Sequence, residues 1–485
     1  MAKSTQIAGY GNARILRFRK TALAFALSQI LNMSVPAAMA ATIAVDTDSG
    51  GANDPNHCTL RDAITAANAD AATGGCPAGA GADTIVLPAK ATITLTEPDN
   101  PHNGLPVVTS VITIEGNGTT ISRNSSSPEF RIFEANHRSL ELRNIIISGG
   151  YIYSGGGGIA AHNSSHLTLI NSTVSGNSAM YSNGGGISVT DTSPVTLINS
   201  TVSGNRNGGN IDSTIEGGAG IDALESPVTL ISSTVSGNKS GPYGTGGIAV
   251  WSSTVTLTNS TVSGNTGEGI GGIRLSNSTL NLTNSTVSGN AGVSGAGIIT
   301  YDSILNLMNS TVSGNTSYFR GGIFALDGIL KIVNSTITDN SNQNSVTGGG
   351  VELRRSSYSS HLEMQFFLQN NIITANNSGD CINNTEIVPT AINNLIGDGG
   401  INCGTPLLTG DPKLGPLRKN GGPTETHALL ADSPAIDAGD DAICDTLPKN
   451  ARGQPTDQRG RPRAGPRAGS HCDIGAYEFR HRRRE

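Results

Sequence analysis

The 485-residue chain has few aromatic and few charged side chains, at 4% and 14% of its residues. Without a repeat, such a composition, with 63 glycines and much Ser, Thr and Asn, would be typical of a disordered chain. A basic excess is also lacking, since 31 Lys and Arg stand against 37 Asp and Glu. This balance argues against nucleic acid and anionic membrane as partners, because both require a basic face. No apolar run beyond residue 40 is long enough to cross a membrane as a helix.

What the chain has instead is a repeat. The string Asn-Ser-Thr-Val-Ser-Gly-Asn occurs five times, and near copies begin at Ser232, Asn334 and Asn370. The perfect copies are Asn171–Asn177, Asn199–Asn205, Asn259–Asn265, Asn284–Asn290 and Asn309–Asn315. Successive copies start 25 to 36 residues apart. A period of this length indicates that each repeat is one supersecondary unit stacked on its neighbours.

Each repeat contains three short stretches in which apolar residues alternate with polar ones, as in β-strands with one face buried. Three strands per repeat predict an all-β fold, a right-handed parallel β-helix in which each coil advances by roughly 4.8 Å. We expect the two Asn residues of each heptad to form two internal ladders, in which stacked amides satisfy one another. Leu60–Asp70 is predicted to be an amphipathic helix that caps the N-terminal end of the stack.

The N-terminus has the features of a secretory signal. Residues 1–40 contain five basic residues, a short apolar core and the small-residue site Ala38-Met39-Ala40. Removing those five from the 31 basic residues leaves 26 against 37 acidic ones, a net charge of −11. The chain is therefore expected to be exported, to the extracellular space or the outer surface of a bacterium.

Six cysteines in an exported protein suggest three disulfides. Fifteen connectivities are possible, and we expect the nearest-neighbour one, in which Cys58 pairs with Cys76, Cys381 with Cys403 and Cys444 with Cys472. All six lie outside the clearest repeats, near the ends of the stack.

Both ends resemble known domains of exported bacterial β-helix proteins. Cys58-Thr59-Leu60-Arg61-Asp62-Ala63-Ile64 is similar to the motif of the CSLREA domain, with Thr for Ser and Asp for Glu. Ser433-Pro434-Ala435-Ile436-Asp437-Ala438-Gly439 and Asp473-Ile474-Gly475-Ala476-Tyr477-Glu478 resemble the choice-of-anchor Q domain. The resemblance implies a surface or secreted right-handed β-helix protein. It divides the chain into a signal peptide (1–40), a CSLREA-type cap (41–104), β-helix repeats (105–403), a disulfide-bearing C-terminal cap (404–479) and a basic tail (480–485).

The outward residues of the first strand of each coil are candidates for ligand binding. Trp251 and Tyr301 are predicted to lie two coils apart, about 10 Å by the strand spacing, with Arg274 between them. Exposed aromatic rings at that separation are suited to stacking on sugar rings, and Phe324 extends the same face. Scattered surface aromatics are also common on proteins without a ligand.

Asp302 and Asp327 occupy one turn position on adjacent coils. Asp and Asn favour turns because their side chains bond to nearby backbone N–H groups, which accounts for them without a function. Two such carboxylates also suit a glycosidase pair or a Ca²⁺ site. In a lyase, Arg354 would be the basic residue that takes the proton. These three are candidates for catalysis, and the two aspartates are candidates for metal binding; no other cofactor is predicted.

The sequence leaves three functional classes open. The main expectation is binding or adhesion to polysaccharide by a monomeric, secreted or surface protein. The second is a polysaccharide lyase or glycosidase of the pectate-lyase-like group. The third is a structural spacer on the cell surface. A cleft with converging charged groups, an aromatic strip, or the lack of both would separate the three.

Overall fold

The computed structural model describes residues 40–208, 217–344, 348–357, 362–452, 454–463 and 471–479. The predicted signal peptide up to residue 39 and the basic tail from residue 480 lie outside the described residues. The described chain is an all-β, right-handed parallel β-helix of about 11 turns. Every pairing between its named strands is parallel and joins equivalent positions of successive coils.

Each complete coil carries three main strands and one short strand. First strands are Phe133–Asn136, Ile159–His162, Ile187–Val189, Ile221–Leu224, Ile248–Trp251, Ile273–Ser276, Val351–Arg354 and Cys381–Asn384. Second strands are Thr42–Ala44, Ala82–Val86, His166–Ile170, Val195–Ile198, Val228–Ile231, Thr254–Thr258, Thr279–Thr283, Gln365–Gln369 and Thr390–Ile392. Third strands are Thr92–Leu95, Thr173–Ser175, Thr201–Ser203, Thr234–Ser236, Thr261–Ser263, Thr286–Ser288, Thr311–Ser313, Thr336–Thr338, Ile372–Thr374 and Leu395–Ile396.

Four longer strands each serve two of these columns. Val111–Arg123 and Ser139–Ser148 run through the second and third columns, and Ile298–Met308 and Ile323–Val333 run through the first and second. The short strands form a separate eight-stranded sheet. They are Tyr151–Ile152, Ser178–Ala179, Arg206–Asn207, Lys239–Ser240, Thr266–Gly267, Ala291–Gly292, Thr316–Ser317 and Ser341–Asn342.

The heptad explains the shape of the coil. Its first Asn has a left-handed backbone, with φ of 51° at Asn171 and 52° at Asn259, and Asn tolerates this conformation better than most residues. Its Val is buried in the core, as at Val174 and Val262. Its Gly is also left-handed, with φ of 65° at Gly176, where a side chain would be strained. The heptad therefore supplies one inward strand residue between two sharp turns.

The internal ladders differ in part from the expected pair. The last Asn of each heptad does form one, since Asn238 Nδ2 donates to Asn265 Oδ1 and Asn265 Nδ2 donates to Asn290 Oδ1, both at 2.9 Å. The first Asn does not form an internal ladder, because its left-handed turn directs it away from the core; in two near copies Asn370 Nδ2 donates to Asn334 Oδ1 at 3.4 Å. The following Ser takes its place: the amide of Ser233 donates to Ser260 Oγ, and that of Ser260 to Ser285 Oγ, both at 3.1 Å. Both ladders satisfy buried polar groups.

The N-terminal end is closed by a helix. The helix Leu60–Ala69 packs on the strands Thr42–Ala44 and Ala82–Val86, and its residues Ala63 and Ile64 are fully buried in the main core. Thr59 caps it by accepting from the amide of Asp62 at 3.1 Å. A second, short helix, Asp441–Cys444, lies in the C-terminal segment.

The C-terminal segment, residues 404–479, does not only cover the open end of the stack. It also contacts earlier coils. Thr424 Oγ1 donates to the carbonyl of Asn284 at 3.1 Å, and Gln458 Nε2 donates to that of Ser285 at 3.1 Å. The segment thus lies along the third strands from Thr286–Ser288 onward, whose outward residues it buries. Disulfides join Cys58 to Cys76, Cys381 to Cys403 and Cys444 to Cys472, the nearest-neighbour pairs. Within the described ranges, no helix has the length and apolar character needed to span a membrane.

Candidate functional site

One column of outward residues on the first strands determines where a cleft forms. The strand register places Glu134, Ala160, Ser188, Asp222, Ala249, Arg274, Ile299, Phe324 and Glu352 side by side on successive coils. Ala160 and Ser188 are small, and a depression lies above them. From Arg274 onward the same column carries large side chains, which fill the space.

The depression is a cleft of about 510 Å³. Its lining residues are Arg131, Gly155, Ala160, Ala161, His162, Ser182, Asn183, Ser188, Thr190, Asp222, Leu224 and Trp251. It spans the first strands from Ile159–His162 to Ile248–Trp251, three strand spacings or about 14 Å. A concave site of this size, with apolar walls and a few polar groups, is typical of small-molecule and sugar-binding sites.

Beyond the cleft, the outer face is filled by a small apolar cluster. Ile270, Ile299 and Phe324 are buried in it, with Tyr301 and Leu326 packed against them. Phe324 is 1% exposed, and the guanidinium of Arg320 lies 3.9 Å from its ring centroid. The expectation that Phe324 is an exposed ligand contact is therefore wrong, because its neighbours on the same face cover an outward-pointing residue.

Trp251, Arg274 and Tyr301 form a stack at the boundary between the cleft and the cluster. The guanidinium carbon of Arg274 lies 5.3 Å from the Trp251 ring centroid and 5.2 Å from that of Tyr301. All three side chains are partly exposed. Cation–π contacts of this kind hold an arginine in one place. The predicted aromatic pair is thus present with Arg274 between its rings, and Trp251 also lines the cleft.

A charged group closes the N-terminal end of the cleft. Arg131 Nη1 donates to Glu134 Oε2 at 2.5 Å, and Arg131 Nη2 donates to the carbonyl of Gly155 at 3.0 Å. His162 Nε2 lies 3.1 Å from Glu134 Oε1. Burial raises the pKa of Glu134, but the His162 hydrogen bond and the charge of Arg131 outweigh it and lower the pKa to about 2. Glu134 is therefore ionised at neutral pH and orients His162 toward the cleft.

Asp222 lies at the other end of the cleft floor and is 4% exposed. Burial raises its pKa to about 7, against the effects of the Gly218 amide, the Asn183 side chain and the charge of Arg274. The Gly218 amide donates to Asp222 Oδ1 at 3.1 Å. A Cβ at Gly217 would lie 2.0 Å from the Asn183 side chain, so a larger residue there would displace the side chain that bonds to Asp222. Asp222 consequently holds a proton for much of the time at neutral pH.

The predicted trio of Asp302, Asp327 and Arg354 lies outside the cleft. Asp302 and Asp327 are left-handed residues at equivalent positions of adjacent coils, with φ of 45° and 59°. Both carboxylate oxygens of Asp327 accept from the amide of Ser356 on the next coil, at 3.1 and 3.3 Å. Arg354 Nε donates to Glu352 Oε1 at 2.5 Å. Asp302 and Asp327 thus occupy turn positions, and Asp327 and Arg354 have hydrogen-bond partners within the fold. The catalytic role of the three residues stays a prediction.

Among the residues that the structure describes, no group of three or more His, Cys, Asp or Glu side chains is arranged to hold a metal ion. A Ca²⁺ site at Asp302 and Asp327 would need further oxygen ligands, since Ca²⁺ takes six to eight.

Sequence reasoning did not assign a site to Ser188, Asp222, Glu134 or Arg131. Ser188, Asp222 and Glu134 lie on the column whose size pattern was readable, because two small residues precede a run of large ones. Arg131 precedes its strand and had no periodic signal. Its role depends on the side chains of neighbouring coils.

Comparisons with known proteins concern the fold. A family model described as the right-handed β-helix region matches residues 99–254. Among solved structures, the crystal structure of pectate lyase Pel9A is similar, with 14% identity, 91% of this chain and 96% of that chain covered, and a TM-score of 0.45. A search of curated proteins gives no match.

Proposed function

We propose that this protein is an extracellular polysaccharide-binding protein and that the cleft between Arg131 and Trp251 holds the sugar chain. The observation that carries the proposal is the cleft itself: a floor of Ala160 and Ser188, with Trp251 and Leu224 on one wall and hydrogen-bonding groups around it. Sugars present apolar ring faces and equatorial hydroxyls, so a site for them combines aromatic faces with polar side chains. Three disulfides support an oxidising, extracellular location.

The stack of Trp251, Arg274 and Tyr301 gives the cleft a rigid aromatic wall. Arg274 lies between both rings, so the Trp251 ring is held in place before a ligand arrives. A pre-organised aromatic side chain loses little conformational freedom on binding. Polar groups that could bond to hydroxyls include Thr190 and His162, which line the cleft in the same outward column as Leu224, one and two coils before it.

The test is a binding titration read by tryptophan fluorescence. Trp251 is the only tryptophan in the chain, so its emission reports on the cleft directly. We would titrate the chain from residue 41 with polygalacturonate, alginate, xylan and soluble glucan. We expect one class to change the emission with saturation, and Trp251→Ala to weaken retention on that polymer about tenfold or more. Retention is measured by affinity electrophoresis, because the variant has no tryptophan.

Tyr318→Ala is the matched control, since Tyr318 is an exposed aromatic residue outside the cleft. Equal retention of wild type and Trp251→Ala would remove the cleft as the binding site. Failure of every polymer to bind would overturn the proposal and favour a structural spacer.

A second candidate, a carbohydrate-cleaving enzyme, is favoured by Asp222. A carboxyl group that keeps its proton near neutral pH, within a cleft, is suited to donate it to a leaving glycosidic oxygen. The same titrations would be assayed for new reducing or unsaturated ends. Product formed by wild type and lost in Asp222→Asn, with retention kept, would establish catalysis. Retention without product would support binding alone.

A further inference from the structure

A second group of aromatic rings lies beside the cleft, on the turns that follow the short strands. Tyr153 and Tyr181 belong to adjacent coils and are 48% and 58% exposed. Their ring centroids are 5.4 Å apart with an interplanar angle of 24°, so the rings are stacked. Tyr151 meets Tyr153 edge-on at 6.1 Å. A pair stacked in this way leaves its outer ring face open to solvent.

This tyrosine platform, Tyr153 and Tyr181 with Tyr151 behind them, is held in place from below. The guanidinium of Arg123 lies 5.4 Å from the Tyr151 ring centroid. Arg123 is itself fixed, since its Nε donates to the carbonyl of Gly149 at 3.0 Å and its Nη1 to that of Ser127 at 2.7 Å. The rings are therefore supported by a bonded residue and are not loose surface side chains.

The platform is continuous with the cleft. Gly155 lines the cleft two residues after Tyr153, and Ser182 and Asn183 line it directly after Tyr181. Two residues of chain span at most about 7 Å, so the backbone that carries the two rings lies beside the cleft. Arg131 connects the two, since its Nη2 donates to Ser154 Oγ at 2.8 Å and its Nη1 to Glu134.

Tyr153 also lines a second depression, of about 500 Å³. Its other lining residues include Pro98, Pro101, Pro128 and Ile152, with His102 and Glu129. The second depression and the cleft are therefore close along the chain, since Gly155, two residues after Tyr153, lines the cleft. A compact ligand would need only one of them, whereas a linear chain could pass from one to the other across the ring.

We propose that Tyr153 and Tyr181 form an additional sugar-stacking subsite, and that the ligand class is a linear polysaccharide long enough to occupy the cleft and the tyrosine platform together. This inference rests on the proposed function of the cleft. Aromatic faces suit it because they stack on the C–H face of a pyranose ring whatever its linkage. The platform adds contacts only for chains that extend beyond the cleft, so it determines chain length more than sugar identity.

The chain offers matched controls for the test. Tyr243 and Tyr318 are exposed by 63% and 48%, and they also follow short strands, on later coils. Neither lines the cleft or the depression beside Tyr153. The double variant Tyr243→Ala/Tyr318→Ala thus also removes two exposed tyrosine side chains that follow short strands, and it leaves the proposed subsite unchanged.

The experiment compares long and short ligands. The polymer that wild type retains most strongly in the panel would be partly digested, and its disaccharides, trisaccharides and long fragments purified. Dissociation constants would be measured by the Trp251 emission for wild type, Tyr153→Ala/Tyr181→Ala, Tyr153→Phe/Tyr181→Phe and the control double variant. We expect the Ala variant to bind long fragments about tenfold more weakly than wild type and short ones unchanged. The Phe variant should bind as wild type does, because the ring remains.

The outcomes separate this inference from the function on which it rests. If wild type binds long fragments and the Ala variant loses no more affinity than the control, the platform is excluded and the cleft stands. If short and long fragments weaken equally, Tyr153 and Tyr181 act on the cleft and the subsite is excluded. If wild type binds no polymer, both proposals fall. Should the double variant unfold, Tyr181→Ala alone, which keeps the Tyr151–Tyr153 contact, gives the same comparison.

Discussion

The two halves of the first-strand face have one backbone geometry and opposite surfaces. Around Ala160 and Ser188 the outward column is small, and the face forms a cleft with charged groups at its ends. Around Ile299 and Phe324 the same column is large, and the face is a closed apolar cluster. Strand register is the same in both halves. The difference shows that, on a β-helix, side-chain volume at one outward position per coil decides whether a coil offers a binding surface.

The largest expected effect comes from emptying the filled half. Phe324→Ala should lower the free energy of unfolding by about 3 kcal/mol, because a buried ring is lost and its cavity is not refilled. Polysaccharide retention should stay unchanged, since Phe324 lies outside the cleft. Urea unfolding followed by circular dichroism measures the first and affinity electrophoresis the second. Leu326→Ala, in the half-buried part of the same cluster, is the control and should cost less. Equal costs would mean that the cluster is not a packed unit.

Filling the empty half should weaken binding strongly. Ser188→Phe places a ring on the cleft floor, in the same outward column that Phe324 occupies five coils later. We expect retention to weaken about a hundredfold, roughly 2.7 kcal/mol, because the ring occupies the space for the sugar. Thr196→Phe, on the outward side of the second strand of the same coil, should bind normally. Full retention by Ser188→Phe would contradict the cleft as the site.

The two carboxyl groups on the cleft column should respond to pH in opposite directions. The pKa of Asp222 is raised to about 7, so its burial costs nothing below about pH 4, where folded and unfolded chains both hold the proton, and costs most above pH 7. Asp222→Asn should therefore stabilise the protein at pH 8 relative to pH 4.5, by a difference on the order of 2 kcal/mol. Unfolding midpoints of both proteins across this range measure it.

Glu134 provides the internal control. Its pKa is lowered to about 2, so its stabilising contribution is present above about pH 4.5 and is lost as the pH falls toward 2. Glu134→Gln should lower the stability between pH 5 and 8, where this contribution is present, and should remove part of the stability loss that wild type shows toward pH 2. A flat difference between wild type and Asp222→Asn across pH 4.5 to 8 would show that Asp222 is ionised like an exposed carboxyl.

The smallest effect is expected at the turn of the filled half. Because Asp327 already accepts the amide of Ser356, chelation with EDTA should shift the melting temperature of wild type by less than about 1 °C. Asp302→Asn/Asp327→Asn should respond to EDTA in the same way. A larger shift in wild type, absent from the double variant, would instead establish the Ca²⁺ site.

Much of the fold was predictable because the repeat imposes it locally. The inward columns at Ile159, Leu167 and Val174 follow from alternation alone, and all three are buried. The stack of Trp251, Arg274 and Tyr301 was predictable because register aligns positions that differ by one repeat. The burial of Phe324 was not predictable, since alternation gives the direction of a side chain but not the neighbours that cover it.

The C-terminal segment was the least predictable part. It has no period, so its position depends on contacts with residues more than 100 positions earlier, such as that of His427 Nε2 with Ser313 Oγ at 2.8 Å. Burial lowers the pKa of His427, which fits its place between the rest of the segment and the third strands. The segment could therefore be recognised as distinct from the repeats, while its path along the third strands could not.

The sequence by itself determined the coil: where it turns and which residues enter its core, because these depend on spacing within one repeat and identity between repeats. Only the tertiary structure decided the surface. The raised pKa of Asp222, the burial of Phe324 and the tyrosine platform each depend on side chains from several coils meeting in space. Burial and electrostatic interactions are set by all the neighbours of a group, and a single repeat contains only some of them.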